Sequence, residues 1–280
     1  MPKNYYYIVA SLPDLLFDSP KKVISLVDFI EDIRELLTPE HASFLALFRL
    51  GYDNGNLVST LDKRGKEFDV RGNFSKEKIE EEIKFPENLP GYMLQFIEAY
   101  KEEKLPYPDL SLDDQLTWLF YDEAVAHKNA FLSTWFTFDL NLRNLLAGLN
   151  CRRLAEQSKD ASGDFTVSKT VLGSNEFAEL VRKSRTPDFS LTLDYPWVEK
   201  VLSFDRRNLV EFEKNIDTLR WDMLDEMTTF TYFQIETILA FCIKLDIVER
   251  WQSLKPDVGE EKLTRLLSDL ESSYAIMEEE

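Results

Sequence analysis

The chain has 280 residues, of which 44% are hydrophobic and only 9 are glycine. This much apolar material can bury a large core, which argues against disorder, and the scarcity of glycine favours helices over turn-rich β-structure. The formal net charge of −18 would repel nucleic-acid phosphates and anionic lipid head groups. Basic protein surfaces or cations are therefore the expected partners, unless the acidity serves only to keep the chain soluble.

The N-terminal segment is apolar and aromatic from Tyr5 to Leu12 and is interrupted by Pro13. It lacks the basic start, the long apolar middle and the small-residue cleavage site of a signal peptide. Tyr5, Tyr6 and Tyr7 are candidate interface residues, because exposed tyrosines anchor many protein–protein contacts. The alternative for these tyrosines is ordinary packing in a core.

Helix-start signals recur in the first part of the chain. Ser19-Pro20 and Thr38-Pro39 each place a capping hydroxyl before a proline at the first helical position. Each pair therefore predicts a helix. After the first pair, apolar residues at spacings of three and four define one helical face: Val23, Leu26, Val27, Ile30 and Ile33.

Two shorter helices are predicted over Ser75–Lys84 and Gly91–Glu103, and the two prolines in Leu105–Pro108 mark a linker. Ser111 begins the longest helical signal, which extends to about Cys151. Its apolar stripe consists of Leu142, Leu145, Leu146 and Leu149.

The last part of the chain contains one ambiguous segment. Phe189, Leu191 and Leu193 alternate with polar residues, which predicts a short extended segment. Three helices are predicted beyond it, over Leu209–Met227, Tyr232–Leu254 and Glu260–Tyr274.

A short pattern occurs three times, with an aspartate followed by Asn-Leu at a predicted helix start. The three copies are Asp53–Leu57, Asp139–Leu142 and Asp205–Leu209. Aspartate and asparagine cap helices of every kind. The pattern alone is therefore poor evidence for an internal repeat.

The residues that carry most enzyme chemistry are few. The only histidines are His41 and His127. Glu123 and His127 are four residues apart on a predicted helix, a spacing that could hold a metal with ligands from neighbouring helices. No second carboxylate–histidine pair exists, and helix capping explains Asp113-Asp114. We therefore predict no metal site.

Motifs for other chemistry are missing from the sequence. It has no glycine-rich phosphate loop and no Gly-x-Ser-x-Gly elbow. Cys151 and Cys242 have neither a disulfide-framework nor a zinc-ligand spacing, which fits a reducing compartment. No uncharged run approaches the ~18–20 residues of a membrane span. We predict a cytoplasmic, non-enzymatic protein with no catalytic or cofactor-binding residue.

The segment Leu119–Arg153 reads LFYDEAVAHKNAFLSTWFTFDLNLRNLLAGLNCRR. An aromatic-rich helix leads to an acidic residue, then to Asn-Leu-Arg, then to an apolar helix that ends in basic residues. This resembles the central repeat of the C subunit of the A/V-type ATPases, called the d subunit in eukaryotic V-ATPases. Tyr232–Phe241 resembles the last repeat of that family, and Tyr52–Leu61 resembles the first. The chain thus looks like a divergent bacterial member.

The resemblance implies an all-α, funnel-like assembly of three related helical lobes over residues 1–110, 111–195 and 196–280. Such a protein sits on the membrane rotor ring, at the inner face of the cell membrane, and receives the foot of the rotary shaft. The expected partners are the shaft subunit and the ring, with no membrane span, nucleic acid, small-molecule substrate or cofactor. The matching positions imply structural rather than reactive roles: Asp53, Asn56, Leu57, Asp139, Asn141, Leu142, Arg143 and Glu236.

Two other interpretations remain open at this stage. One is a general helical scaffold or adaptor with an acidic interaction surface. The other is a helical metal-dependent enzyme that uses Glu123, His127 and either Asp113 or Asp114. A bound metal in the purified protein would favour the enzyme.

Overall fold

A computed structural model describes residues 3–17, 22–63, 67–157 and 170–253. This part of the chain contains eleven α-helices and no strand, which confirms the all-α prediction. The helices are α1 Tyr6–Ser11, α2 Leu26–Arg34, α3 Pro39–Leu61, α4 Lys76–Lys84, α5 Gly91–Lys101, α6 Leu112–Val125, α7 Ala130–Gln157, α8 Glu176–Lys183, α9 Pro196–Ser203, α10 Leu209–Thr228 and α11 Ile235–Ser253. None of these described helices combines the length and the apolarity needed to cross a bilayer.

The chain forms two compact units. The first combines Met1–Leu45 with Phe230–Glu280, and the second is Ala46–Thr229. In the first unit, α1 and α2 pack on α11. In the second, α6 and α8 pack on α7, α5 packs on α6, and α10 packs on α7 and α9. The division into three lobes stays a prediction.

Capping residues set most of the helix starts. Ser111 accepts a hydrogen bond from the backbone N–H of Asp114, and Thr38 accepts one from the backbone N–H of His41. Both predicted starts are confirmed. The helix expected after Ser19 begins instead at Leu26, one residue after its capping Ser25, while Ser19 and Pro20 lie outside the described residues. The helix predicted over Glu260–Tyr274 also lies outside them.

The extended segment predicted at Phe189–Leu193 is wrong. Phe189 and Ser190 have φ angles of 57° and 61°, and successive turns connect Pro187 to Asp194. The Asp188 carboxylate accepts hydrogen bonds from the Ser190 backbone and the Thr192 hydroxyl, which favours turns over a strand. A strand would also place Phe189 and Leu193 on the same face, but Phe189 is fully buried and Leu193 is 94% exposed.

A close helix crossing organises the second unit. A Cβ atom built on Gly148 of α7 would lie 2.5 Å from Val181 Cγ1 of α8 and 3.0 Å from Phe189 Cζ. The glycine therefore allows α8 and the turn at Phe189 to approach α7 closely. Phe177 of α8 extends this core, since its ring stacks on Trp197 with 5.7 Å between the ring centroids.

Candidate functional site

Two of the three copies of the repeated Asp/Asn pattern lie in helix interiors. Asp53 and Asn56 are inside α3, and Asp139 and Asn141 are inside α7, so the prediction that they begin helices is wrong. Their side chains bond to other segments or neighbouring helices instead of capping their own helix. Only the third copy caps a helix, because the Asn208 side chain accepts a hydrogen bond from the backbone N–H of Glu211 in α10.

The polar pair on α3 holds the segment that follows this helix. Asp53 is fully buried and its carboxylate accepts hydrogen bonds from the backbone N–H groups of Asn73, at 2.9 Å, and Phe74, at 3.1 Å. The Asn56 amide exchanges two hydrogen bonds of 2.8 Å with the backbone N–H and C=O of Asp69. Burial raises the pKa of Asp53, although the bonds from Asn73 and Phe74 oppose this.

A second polar pair with the same spacing lies on α7. The fully buried Asn144 amide exchanges two hydrogen bonds of 2.8 Å with the backbone N–H and C=O of Leu172. Three residues earlier, the Asn141 side-chain oxygen accepts a 2.9 Å bond from the Asn175 amide. Asn144 therefore repeats the two-bond geometry of Asn56.

A third pair lies on α11, within the other unit. Glu249 accepts a hydrogen bond from the Leu26 backbone N–H at 3.0 Å. Gln252, three residues later, accepts one from the Val23 backbone N–H at 3.3 Å. This pair shares the three-residue spacing with the other two pairs, and both of its side chains accept hydrogen bonds from backbone N–H groups.

We call each of these arrangements a polar clasp: two residues three apart on a long helix, bonded to a connector. Each clasped connector leads into a short helix, α4, α8 or α2, of 9, 8 and 9 residues respectively. The caps of these short helices are Ser75, Asn175 and Ser25, and each side chain accepts a bond from the backbone three residues later. Long helix, clasped connector and capped short helix thus follow one another twice in the described chain, and the same three parts occur a third time with the short helix α2 preceding the long helix α11.

Asp139 belongs to a separate charge cluster that joins α6, α7 and α10. It accepts a 2.6 Å bond from the Tyr121 hydroxyl and pairs with Arg220 at 3.2 Å. Arg220 also pairs with the buried Asp217 at 3.0 Å. Burial and the neighbouring Asp139 raise the pKa of Tyr121 well above its usual value. Burial lowers the pKa of Arg220, but the two carboxylates outweigh this effect and raise it.

The remaining family-motif residues have ordinary structural environments. Leu57 and Leu142 are core residues, and Arg143 pairs with Asp114 at 2.7 Å. Glu236 lies in the first turn of α11, where an acidic side chain complements the helix dipole.

The three N-terminal tyrosines separate into one buried and two exposed residues. Tyr5 is buried, and its hydroxyl bonds to Nδ1 of His41 at 2.5 Å. The prediction that this tyrosine is exposed is therefore wrong. Tyr6 and Tyr7 are exposed on α1, and their interface role stays a prediction.

The Glu123–His127 pair is divided by a helix end. α6 ends at Val125, so His127 is not on the same helix as Glu123. Glu123 accepts a bond from the backbone N–H of Tyr92 at the start of α5, and Nδ1 of His127 accepts one from the Asn129 backbone. Within the described residues no three His, Cys, Asp or Glu side chains come together as a metal site.

One groove of about 1070 Å³ opens in the second unit. Its described lining mixes apolar residues with the lysines Lys63, Lys84 and Lys101 and the glutamates Glu80 and Glu103. Lys101 is already engaged, since its ammonium donates to the carbonyl of Lys84. These charges of both signs do not select one class of ligand.

Sequence reasoning missed Asn144, Asp217 and Arg220. The available signal was an uncharged polar residue close to the apolar stripe, because Asn144 lies two residues after Leu142 and directly before Leu145. A buried polar residue requires a hydrogen-bond partner, so its position implies a contact even when the partner is unknown. Nothing local to Arg220 indicates that its partner is Asp139.

A family model described as "Protein of unknown function (DUF2764)" matches residues 1–274. The chain belongs to this family. Comparison with the curated proteins and with the solved structures finds no match.

Proposed function

We propose that this protein is a non-catalytic central-stalk subunit of a V/A-type ATPase, which couples the rotary shaft to the membrane rotor ring. The observation that carries the proposal is the threefold occurrence of a long helix, a clasped connector and a capped short helix. Three related helical lobes are what the resemblance to the C subunit of these ATPases implies. The repeat gives the motif residues Asp53, Asn56 and Asn141 a structural role, and Asn144, Glu249 and Gln252 extend the arrangement beyond the short sequence motifs.

The construction of the clasps suits a part that transmits force. In the clasps on α3 and α7, a hydrogen bond between a buried side chain and the backbone fixes the connector, because breaking it would leave polar groups without partners and away from water. The Arg220 cluster adds a second kind of cross-link, since one guanidinium holds carboxylates from α7 and α10. A coupling subunit needs such rigid joints and needs no reactive group.

The charge of the protein supports a basic partner. A net charge of −18 would speed association with a basic shaft foot and would make that association sensitive to salt. In this proposal the protein is cytoplasmic and peripheral, held at the inner face of the membrane through the ring. It has no enzymatic activity of its own.

Affinity purification of the tagged full-length chain from its own cells tests the proposal. The shaft and ring subunits of the V/A-type ATPase are expected to co-purify, and purified shaft subunit is expected to bind directly. Binding should weaken as salt rises from about 50 to about 300 mM, where the screening length shortens. A preparation that contains neither subunit, together with no direct binding at low salt, would reject the function.

A further inference from the structure

An exposed aromatic patch lies on the unit formed by the N-terminal and C-terminal parts of the chain. It consists of Tyr6, Tyr7, Phe230, Tyr232 and Phe233, which are 59%, 79%, 85%, 69% and 39% exposed. We refer to these five residues as the aromatic patch. They come from α1 and from the segment that precedes α11.

The two segments of the patch are joined and fixed. The Tyr5 backbone N–H donates to the Phe233 carbonyl at 2.6 Å, and the rings of Tyr6 and Phe233 lie 4.6 Å apart. Tyr5 itself is buried and bonded to His41, which anchors α1. The patch therefore exposes its rings from an ordered backbone, so a partner would not have to order the backbone on binding.

The summed exposed area of the five side chains is comparable to one side of an interface. A Phe or Tyr side chain has about 150–250 Å² of surface, so the exposed fractions amount to roughly 500–800 Å². The largest apolar patch on a typical monomer is about 300–600 Å², and a standard interface buries about 800 Å² on each partner. Tyrosine is also among the residues that contribute most to binding energy at interfaces.

Charge selects the kind of partner. A second copy of this chain would bring another net charge of −18, so long-range repulsion opposes self-association through the patch. A basic surface is attracted instead, and its lysine or arginine side chains can lie over the exposed tyrosine and phenylalanine rings. Aliphatic side chains beside those cations would cover the remaining ring surface.

We propose that the aromatic patch is the docking surface for a basic protein partner that presents lysine or arginine among aliphatic side chains. This inference rests on the proposed function for the identity of that partner, the shaft subunit. It adds where on this chain the partner binds and which chemistry it must carry.

The test measures the affinity of purified shaft subunit for the full-length chain and for the double variant Tyr7→Ser/Tyr232→Ser. Both positions are exposed, so the variant should keep its fold, which circular dichroism checks. Phe85→Ser is the matched control, because Phe85 is an exposed aromatic residue of the other unit, 71% exposed. The double variant should bind roughly tenfold more weakly or worse, a typical loss for central interface tyrosines, and the control should bind like wild type.

The other outcomes distinguish failure of the docking inference from failure of the proposed function. Shaft binding that survives the double substitution overturns the patch and leaves the proposed function standing. Failure of the wild-type chain to bind both shaft and ring overturns the function, and the inference with it. Sedimentation at increasing protein concentration tests self-association: a dimer of the wild-type chain that the double variant abolishes would assign the patch to a second copy and overturn the inference.

Discussion

Replacing Asn144 with alanine tests whether the clasp on α7 holds the second unit together. The substitution removes both hydrogen bonds to Leu172 and leaves the backbone N–H and C=O of Leu172 without the Asn144 amide as their partner. Asn144 and Leu172 are both fully buried, so water has no direct access to the vacated groups. The change in the free energy of unfolding of this variant therefore measures the cost of leaving two buried groups without hydrogen bonds.

The expected loss follows from these two groups. Each buried unsatisfied polar group costs about 1–3 kcal/mol, which gives about 2–6 kcal/mol before relaxation. We expect about 3 kcal/mol after the connector adjusts, which would lower the Tm by roughly 6–12 °C for a unit of this size. Asn144→Asp should lose stability near neutral pH, because a carboxylate would face the Leu172 carbonyl, and should recover part of it at acidic pH, where the protonated carboxyl can donate.

Tryptophan fluorescence during thermal or urea unfolding follows the relevant unit, because Trp118, Trp135, Trp197 and Trp221 all lie within Ala46–Thr229. Asn150→Ala is the matched control, since Asn150 is exposed on the same helix. The control should change stability by no more than about 0.5 kcal/mol. An Asn144→Ala variant as stable as this control would refute the reasoning.

Four further substitutions probe other parts of the fold by urea unfolding. Gly148→Ala should cost about 1–3 kcal/mol of stability, because the added methyl group would clash with Val181. Gly51→Ala is its control, because the space around that Cβ is open, and it should stabilise α3 by about 0.5–1 kcal/mol. Equal effects of the two substitutions would contradict the close crossing. Burial raises the pKa of Glu82, but hydrogen bonds to its carboxylate outweigh this effect and lower the pKa from 4.5 to about 2. The stabilisation that Glu82 contributes is therefore complete above its unfolded pKa and disappears as the pH falls from about 5 to about 2. Glu82→Gln should remove that part of the acid sensitivity, and an unchanged difference from wild type across this range would contradict it. Arg220→Met should cost about 3–5 kcal/mol, because it removes the guanidinium that pairs with the buried Asp217 and the half-buried Asp139, and a loss below about 1 kcal/mol would show that the cluster is not a cross-link.

Most of the longer helices were predictable from local sequence, whereas the short helices α1, α8 and α9 were not predicted. Helix periodicity and capping residues lie within a few positions of each other, so Ser111 and Thr38 identified the starts of α6 and α3. The segment at Phe189 was mispredicted because alternation of apolar and polar residues also occurs where Asp188 organises consecutive turns. In that case side chain–backbone bonding decided the conformation, and hydrophobic alternation did not.

The clasps were not predictable for a different reason. Asn56 bonds to a residue 13 positions away, and Asn144 bonds to one 28 positions away. Local rules describe asparagine as a capping residue, because its short polar side chain bonds readily to nearby backbone. Only the fold shows that these two amides lie in the middle of their helices and bond to a distant connector.

The two kinds of polar interaction in this protein should respond differently to salt. Clasp bonds from Asn56 and Asn144 are formed by uncharged amides and are buried, so ionic screening barely reaches them. Attraction of the surface, with its net charge of −18, to a basic partner acts through solvent and is screened. Such a protein can release its partner as the salt concentration rises while its fold stays intact. Loss of binding at high salt would therefore report weakening of the interface and not unfolding of the protein. That separation allows the salt dependence of shaft binding to test the charge-based part of the proposed function.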